Sequence, residues 1–167
     1  PVDFLSLFAL LNAQQVRYVL VGGLAVVLHG IDRITADIDL ALDLSAESVR
    51  DAVSALQDAG FRPMLPVDAR QLADPAVRRI WREERGMQVV SFWDPTHSRP
   101  SIDIFVESPI AFADLWRDAV EVSLDGVALR VASVPHLIAL KRIAGRPQDL
   151  ADIEQLLTLL PPPAAKD

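Results

Sequence analysis

Residues 18–43 read YVLVGGLAVVLHGIDRITADIDLALD, and the parsing of this stretch decides the fold. An apolar strand over residues 16–21 is too continuously hydrophobic for a solvent-exposed position, so it belongs in the middle of a sheet. Gly22 and Gly23 break it. A short helix over residues 24–29 follows, ended by Gly30, and residues 31–36 connect it to a second strand over residues 37–42. Side chains alternate faces along a strand, so Asp37 and Asp39 point one way while Ile38 and Leu40 point the other, toward a core. Two like charges in one small volume resist joint ionisation; the pair traps a proton or holds a cation.

Working outward, Asp3 is placed to cap a first helix whose Phe4, Leu7, Phe8 and Leu11 form one apolar stripe. Ser45 caps a helix with Val49, Ala52, Val53 and Leu56 inside, and Gly60 stops it. Residues 61–73 carry two prolines and read as a loop with at most one turn of helix. Asp74 and Pro75 open a helix with Val77, Ile80 and Trp81 inward; Arg78, Arg82 and Arg85 form a stripe elsewhere on it. That stripe is either a solvated face paired with Glu83 and Glu84 or a surface for phosphate or RNA.

Strands are expected over residues 87–92 and 101–107, separated by a turn at Asp94-Pro95. Asp103 lies inside the second, in the run Ile102 to Val106, and an acid in so apolar a run is costly to bury unpaired. It is the natural third member of the acidic site. A short helix over residues 109–118 precedes two strands, 120–124 and 127–131, that flank the hairpin signal Asp125-Gly126. Helices over residues 133–143 and 146–160 close the chain, the second with Leu150, Ile153, Leu156, Leu157 and Leu160 inside. One domain over residues 1–160 is expected, with 161–167 a flexible, proline-rich tail.

Composition narrows the chemistry. Cysteine is absent from the 167 residues, which removes disulfides, thiolate ligands and cysteine nucleophiles, so any metal must sit on oxygen or histidine. The net charge of -7 disfavours an extended surface for neutralising phosphates but leaves room for a local basic patch. No apolar run approaches the roughly 20 residues that span a bilayer, and no basic-then-apolar leader precedes the first helix; the expectation is a cytoplasmic protein with no membrane partner.

The glycine pair lets backbone N–H groups approach a phosphate, and the helix that follows adds a favourable partial charge. Three carboxylates on neighbouring strands suit one or two hard divalent cations, Mg2+ by default and Mn2+ as the alternative. Two such ions roughly 4 Å apart activate an attacking hydroxyl and stabilise departing pyrophosphate, the machinery of nucleotidyl transfer. Arg33 and Thr35, just before the acidic strand, either touch phosphate or fix the loop. Lys141 either reaches a triphosphate as a mobile charge or pairs with Asp149 or Asp152; Arg146 is similarly divided. His29 at a helix end reads as packing or capping, and His97 and His136 share no metal-ligand spacing.

The segment GG-x13-D-I-D, with a later I-D-I, resembles the signature of the polymerase β-type nucleotidyltransferase superfamily. VGGLAVVLHGIDRITADIDL together with ALKRIAGRPQDLADIEQL is similar to small bacterial nucleotidyltransferases of the abortive-infection and toxin-antitoxin type, with residues 61–85 unmatched. The resemblance implies that Asp37, Asp39 and Asp103 bind metal and that Asp103 is the base for the incoming hydroxyl. It implies that Gly22 and Gly23 cradle the NTP. Many members carry Ser at the second position of this pair; with Gly23 there, only backbone donors are expected. The fold is expected to be α/β, with a mixed, mostly antiparallel sheet flanked by helices.

Together these readings give metal-dependent transfer of a nucleoside monophosphate from an NTP to a hydroxyl acceptor, RNA (a tRNA 3′ end) or protein, with a small antibiotic hydroxyl also open. A cognate antitoxin is a further expected partner. Two other readings are a nucleotide-binding or regulatory component of a toxin-antitoxin pair with little chemistry, and a D-x-D glycosyltransferase. The last needs a longer nucleotide-binding half than the 36 residues before the acid pair.

Overall fold

The computed structural model describes residues 4–163. Seven strands, β1 (Tyr18–Val21), β2 (Asp37–Leu42), β3 (Arg62–Pro63), β4 (Val89–Trp93), β5 (Ser101–Phe105), β6 (Val120–Leu124) and β7 (Val127–Val131), form one sheet in the order β3-β4-β5-β2-β1-β7-β6. Only β2 with β5 and β1 with β7 pair in parallel; the other four pairings are antiparallel. The expected α/β architecture with a mixed, mostly antiparallel sheet is therefore present.

Strand β1 is buried along its whole length between β2 and β7, as its unbroken apolar run requires. On β2, β5 and β4 the pattern is instead alternating. Ile38 faces Ile102, Leu40 faces Ile104, and these pair onward with Phe92 and Val90, all buried. Burying each such side chain stabilises the fold by about 2 kcal/mol, and the same alternation turns Asp37, Asp39, Asp103 and Ser91 together onto the opposite face.

The helices are α1 (Leu5–Ala13), α2 (Gly22–Leu28), α3 (Ala46–Asp58), α4 (Pro75–Glu83), α5 (Phe112–Asp118), α6 (Val134–Ala144) and α7 (Pro147–Leu157). Ser45, Asp74 and Ser133 each accept a backbone N–H at the start of α3, α4 and α6. Gly145, at φ 64°, ends α6 in the left-handed region. Asp125 and Gly126 both take positive φ, 48° and 80°, the two-residue hairpin that their sequence signals.

Several expectations are corrected. Gly22 and Gly23 do not precede α2 but form its first turn, because Gly22 reaches φ 68° and so leaves the strand and enters the helix without an intervening loop. Within residues 61–73 the helical turn is the 3-10 segment Ala69–Ala73, and the edge strand β3 was not expected. Ile80 is exposed, and α4 buries Trp81 alone. Leu150 and Leu157 are exposed, while Asp149, Asp152, Ile153 and Leu156 form the buried stripe of α7, which ends at Leu157 rather than Leu160. Strand β5 stops at Phe105, and α5 starts only at Phe112. The proposed cap Asp3 and tail positions 164–167 lie outside the described residues. Among the described residues no helix is long and apolar enough to cross a membrane.

Candidate active site

Register alone assembles the acids. Val21 of β1, Asp39 of β2, Asp103 of β5 and Ser91 of β4 are consecutive partners across the sheet, and Asp37 pairs with Ser101 two residues along, on the same face. Two serines that the sequence reading passed over hold the carboxylates. Ser91 Oγ donates to Asp103 Oδ1 and Ser101 Oγ donates to Asp37 Oδ1, each at 2.6 Å. Ser101 was legible: in Ser101-Ile102-Asp103 the serine shares a face with the acid. Ser91, on a different strand, was not.

Gly22 is a glycine for a steric reason. A Cβ there would overlap the Asp39 carboxylate, so any side chain would push the acid off the end of β1. Asp39 is thereby held partly buried. Burial, followed by the charges of Asp103 and Asp37, pushes its pKa up to about 6, against a smaller opposite pull from Arg146 and Lys141. Asp103 is likewise pushed up, by burial first and by Asp37, while the Ser91 hydrogen bond holds it down. No ion pair among the described residues involves Asp37, Asp39 or Asp103.

This donor set is all oxygen, converges on one face and carries negative charge that the protein leaves unbalanced. It therefore fits a hard divalent cation, whose charge would supply the missing compensation. Among the described residues no three acidic or histidine side chains form a ready-made ion site; Ser91 and Ser101 each donate to one oxygen of Asp103 and Asp37.

At Gly23 the structure corrects the expectation of backbone donors alone. The space of the missing side chain is filled by the Arg33 guanidinium and by Thr35 Oγ1, 2.6 Å from where a Cβ would sit. Arg33 Nη1 lies 3.3 Å from Asp152 Oδ2, yet Arg33 Nε and Nη1 are buried without a hydrogen-bond acceptor. Lys141, only 5% exposed, sits 2.7 Å from Asp152 and 3.3 Å from Asp149, so the ion-pair alternative for this lysine is present. Arg146 Nε donates to Asp149 at 2.8 Å. Burial pushes the Asp149 carboxyl up, but hydrogen bonds from Arg146 and then Lys141 outweigh it and hold it below the usual range.

The proposed site residues do not all open into one cleft. Asp39, Asp103, Gly22, Lys141 and Arg146 line a cleft of about 510 Å3, walled by Val89, Phe105 and Pro109 on one side and Leu137, Leu140 and Ile143 of α6 on the other. Arg33, Thr35 and Asp37 line a second cleft of about 580 Å3, with Ile34, His97 and Arg99. Outside both, Arg78, Arg79 and Arg82 border an open groove with Glu107, which also lines the first cleft. Arg82 pairs with Glu83 and Glu107, so the solvated reading holds in part; Arg85 lies outside the groove and Arg79 replaces it. His29 Nε2 contacts the Ala132 carbonyl at 2.8 Å, a packing role, and His97 stacks on Trp93.

A family model described as "Nucleotidyltransferase of unknown function (DUF6036)" matches residues 4–159, including the stretch 61–85 that the sequence motifs left unmatched. No curated protein matches the chain. Among solved structures, the lincosamide antibiotic adenylyltransferase LnuA, lincomycin-bound, is 17% identical with a TM-score of 0.62 over 93% of this chain and 94% of that one. ANT(2")-Ia in complex with adenylyl-2"-tobramycin is 15% identical with a TM-score of 0.60 over 93% and 86%. An antigenic nucleotidyltransferase-like protein from Paracoccidioides brasiliensis is 14% identical with a TM-score of 0.59 over 96% and 76%. At these identities the likeness is one of fold.

Proposed function

The chain belongs to this nucleotidyltransferase family, and we propose that it moves a nucleoside monophosphate from an NTP to a hydroxyl acceptor in a reaction that depends on Mg2+ or Mn2+. The observation that carries this reading is the register pairing of Asp39 with Asp103, with Asp37 two residues along β2 on the same face, and no ion pair to any of the three among the described residues. Asp37, Asp39 and Asp103 would hold the metal, which when bound polarises the phosphate oxygens and balances the developing charge.

In the transfer, the acceptor oxygen forms a bond to the α-phosphorus, the bond from that phosphorus to the β-phosphate oxygen breaks, and pyrophosphate leaves with the electron pair. Asp103 takes the acceptor proton. Ser91 donates to its Oδ1, which leaves Oδ2 without that hydrogen bond. Arg33 and Thr35 over Gly23 supply donors for phosphate, and Lys141 acts through its field at Asp39 while anchoring Asp149 and Asp152.

For the acceptor we propose RNA. The arginine groove of α4 abuts the Asp103 cleft at Glu107, and a polyanion whose terminal hydroxyl reaches Asp103 would run its phosphates past Arg78, Arg79 and Arg82. A small-molecule hydroxyl, as in the lincomycin- and tobramycin-linked structures, is the second reading, favoured by the apolar walls of that cleft. Incubation with each α-labelled NTP, Mg2+ and separately total RNA, protein, lincomycin or tobramycin tests both. Label in RNA supports the first reading and label in an antibiotic the second. No pyrophosphate release with any acceptor, despite NTP binding, would return the chain to a nucleotide-binding role.

A further inference from the structure

Each of the three acids has one oxygen engaged and one open. Ser91 Oγ donates to Asp103 Oδ1 and Ser101 Oγ to Asp37 Oδ1, both at 2.6 Å, and among the described residues no other hydrogen bond reaches either carboxyl. Asp39 has no serine; its Oδ2 is the atom that a Cβ on Gly22 would meet first, so that oxygen is packed against the backbone at the start of α2. Resting on the divalent-metal reading of this site, we infer that Ser91 and Ser101 are positioning residues that set its ion preference. By occupying one oxygen of each acid they make Asp103 and Asp37 single-oxygen ligands and favour Mg2+ or Mn2+ over Ca2+.

Register makes both contacts. Ser91 stands directly opposite Asp103 on the antiparallel neighbours β4 and β5, and Ser101 opposite Asp37 on the parallel neighbours β5 and β2. Directly opposed side chains of an antiparallel pair have Cβ atoms about 4.5–5.5 Å apart, a gap that a serine hydroxyl and a short aspartate close between them. Val90 and Phe92 beside Ser91, and Ile102 beside Ser101, are buried on the other face, so alternation fixes both hydroxyls on the acid side. Strand order places both on the β4 side of their acids. Each hydroxyl therefore draws its carboxylate in the same direction across the sheet.

Ion chemistry supplies the consequence. Ca2+ takes roughly six to eight oxygens and readily uses both oxygens of one carboxylate, whereas Mg2+ holds roughly six at shorter range, most of them from water and phosphate. A carboxylate with one oxygen tied to a hydroxyl serves the smaller ion and fails the larger. Hydrogen-bonding partners that orient a metal's ligands are worth about 10–100-fold in metal affinity.

Mn2+ binding, read from the electron paramagnetic resonance signal of the free ion, and its displacement by Mg2+ and by Ca2+ are measured for the wild type, Ser91→Ala, Ser101→Ala and Ser91→Thr. Metal-free melting midpoints check folding. Ser91→Ala should bind Mn2+ and Mg2+ about tenfold more weakly while its Ca2+ constant moves by less than about twofold. Ser101→Ala should shift the same way by less, since its pair is open to water. Ser91→Thr keeps the hydroxyl and should stay within about twofold of the wild type. An unchanged or tighter Mn2+ constant in the alanine variants, an equal loss of Mn2+ and Ca2+, or a loss in Ser91→Thr as large as in Ser91→Ala overturns the inference. Should Ser91→Ala not fold, Ser101→Ala decides by the same criterion. A wild type whose Mn2+ binding is lost in Asp39→Asn keeps the metal reading whatever the serines do; a wild type that binds no Mn2+ removes both.

Discussion

Asp39 and Asp103 on the sheet, and Asp149 and Asp152 on α7, are carboxylates in one protein held in opposite ways. The α7 pair is the more deeply buried, 1% and 3% exposed, yet Arg33, Lys141 and Arg146 surround it, and the Asp149 carboxyl is held below its usual range. The sheet pair is less buried but touches no cation, and both of its carboxyls are pushed up. Depth of burial therefore does not mark the site. What marks it is negative charge that the fold concentrates and leaves uncompensated, a cost tolerated where a bound ion and substrate supply the balance.

The comparison breaks first at turnover. Asp39→Asn or Asp103→Asn removes a proposed metal ligand or proton acceptor, and labelled transfer should fall by about 10^3–10^4-fold while the melting midpoint holds or rises. Retained turnover in either variant would show that the uncompensated acids are not the reacting site.

Next in size is the compensated cluster. Lys141→Met removes the one cation that Asp149 and Asp152 share in the ion pairs of the described residues, which should cost about 3–4 kcal/mol in urea denaturation. The variant Asp152→Asn should cost less, because Asp149 still satisfies the lysine. Equal losses would mean that packing rather than charge holds α6 against α7.

The third effect is a pH dependence of the metal-free protein. The Asp39 carboxyl is raised from 3.8 in the unfolded chain to about 6 in the fold. Between those values the folded state binds more protons than the unfolded one, so Asp39 erodes stability as pH rises through that window and the loss levels off above about 6. Asp39→Asn should remove the erosion, giving a variant that gains about 1–3 kcal/mol on the wild type between pH 4 and pH 7. At pH 7.5, added Mg2+ should raise the wild-type melting midpoint and leave that of Asp39→Asn unchanged. A wild-type profile flat across this window would mean that the acids are compensated after all.

The two groups were also unequally legible in the sequence. The sheet acids announce themselves because a strand's period of two puts Asp37 and Asp39 on one face and Ile38 and Leu40 on the other, and local alternation is all the reading requires. The partners of those acids were partly hidden, since the pairing of Ser91 with Asp103 is a matter of register between distant strands. Arg33 filling the Gly23 space was also invisible: a missing side chain does not reveal what occupies its volume. In α7 the pairing of Lys141 with Asp149 or Asp152 was one of two readings, but the buried face was misread, and for a sharper reason. A search for an apolar stripe ranks leucines above aspartates, so Leu150 and Leu157 were assigned inward, although positions 149, 152, 153 and 156 carry the same helical spacing.

That misreading makes the smallest prediction the most direct check on how α7 is seated. If the buried stripe is Asp149, Asp152, Ile153 and Leu156, then Leu150→Gln and Leu157→Gln each touch a surface that is 55% and 46% exposed and should change stability by no more than about 0.5 kcal/mol. Ile153→Ala, a neighbour on the covered face, should cost about 2 kcal/mol or more by the same urea measurement. A loss at Leu150 or Leu157 matching that at Ile153 would mean that α7 is rotated toward the apolar face. That rotation would also carry Asp152 away from Arg33 and Lys141, and with it the compensation that separates the helix acids from those on the sheet.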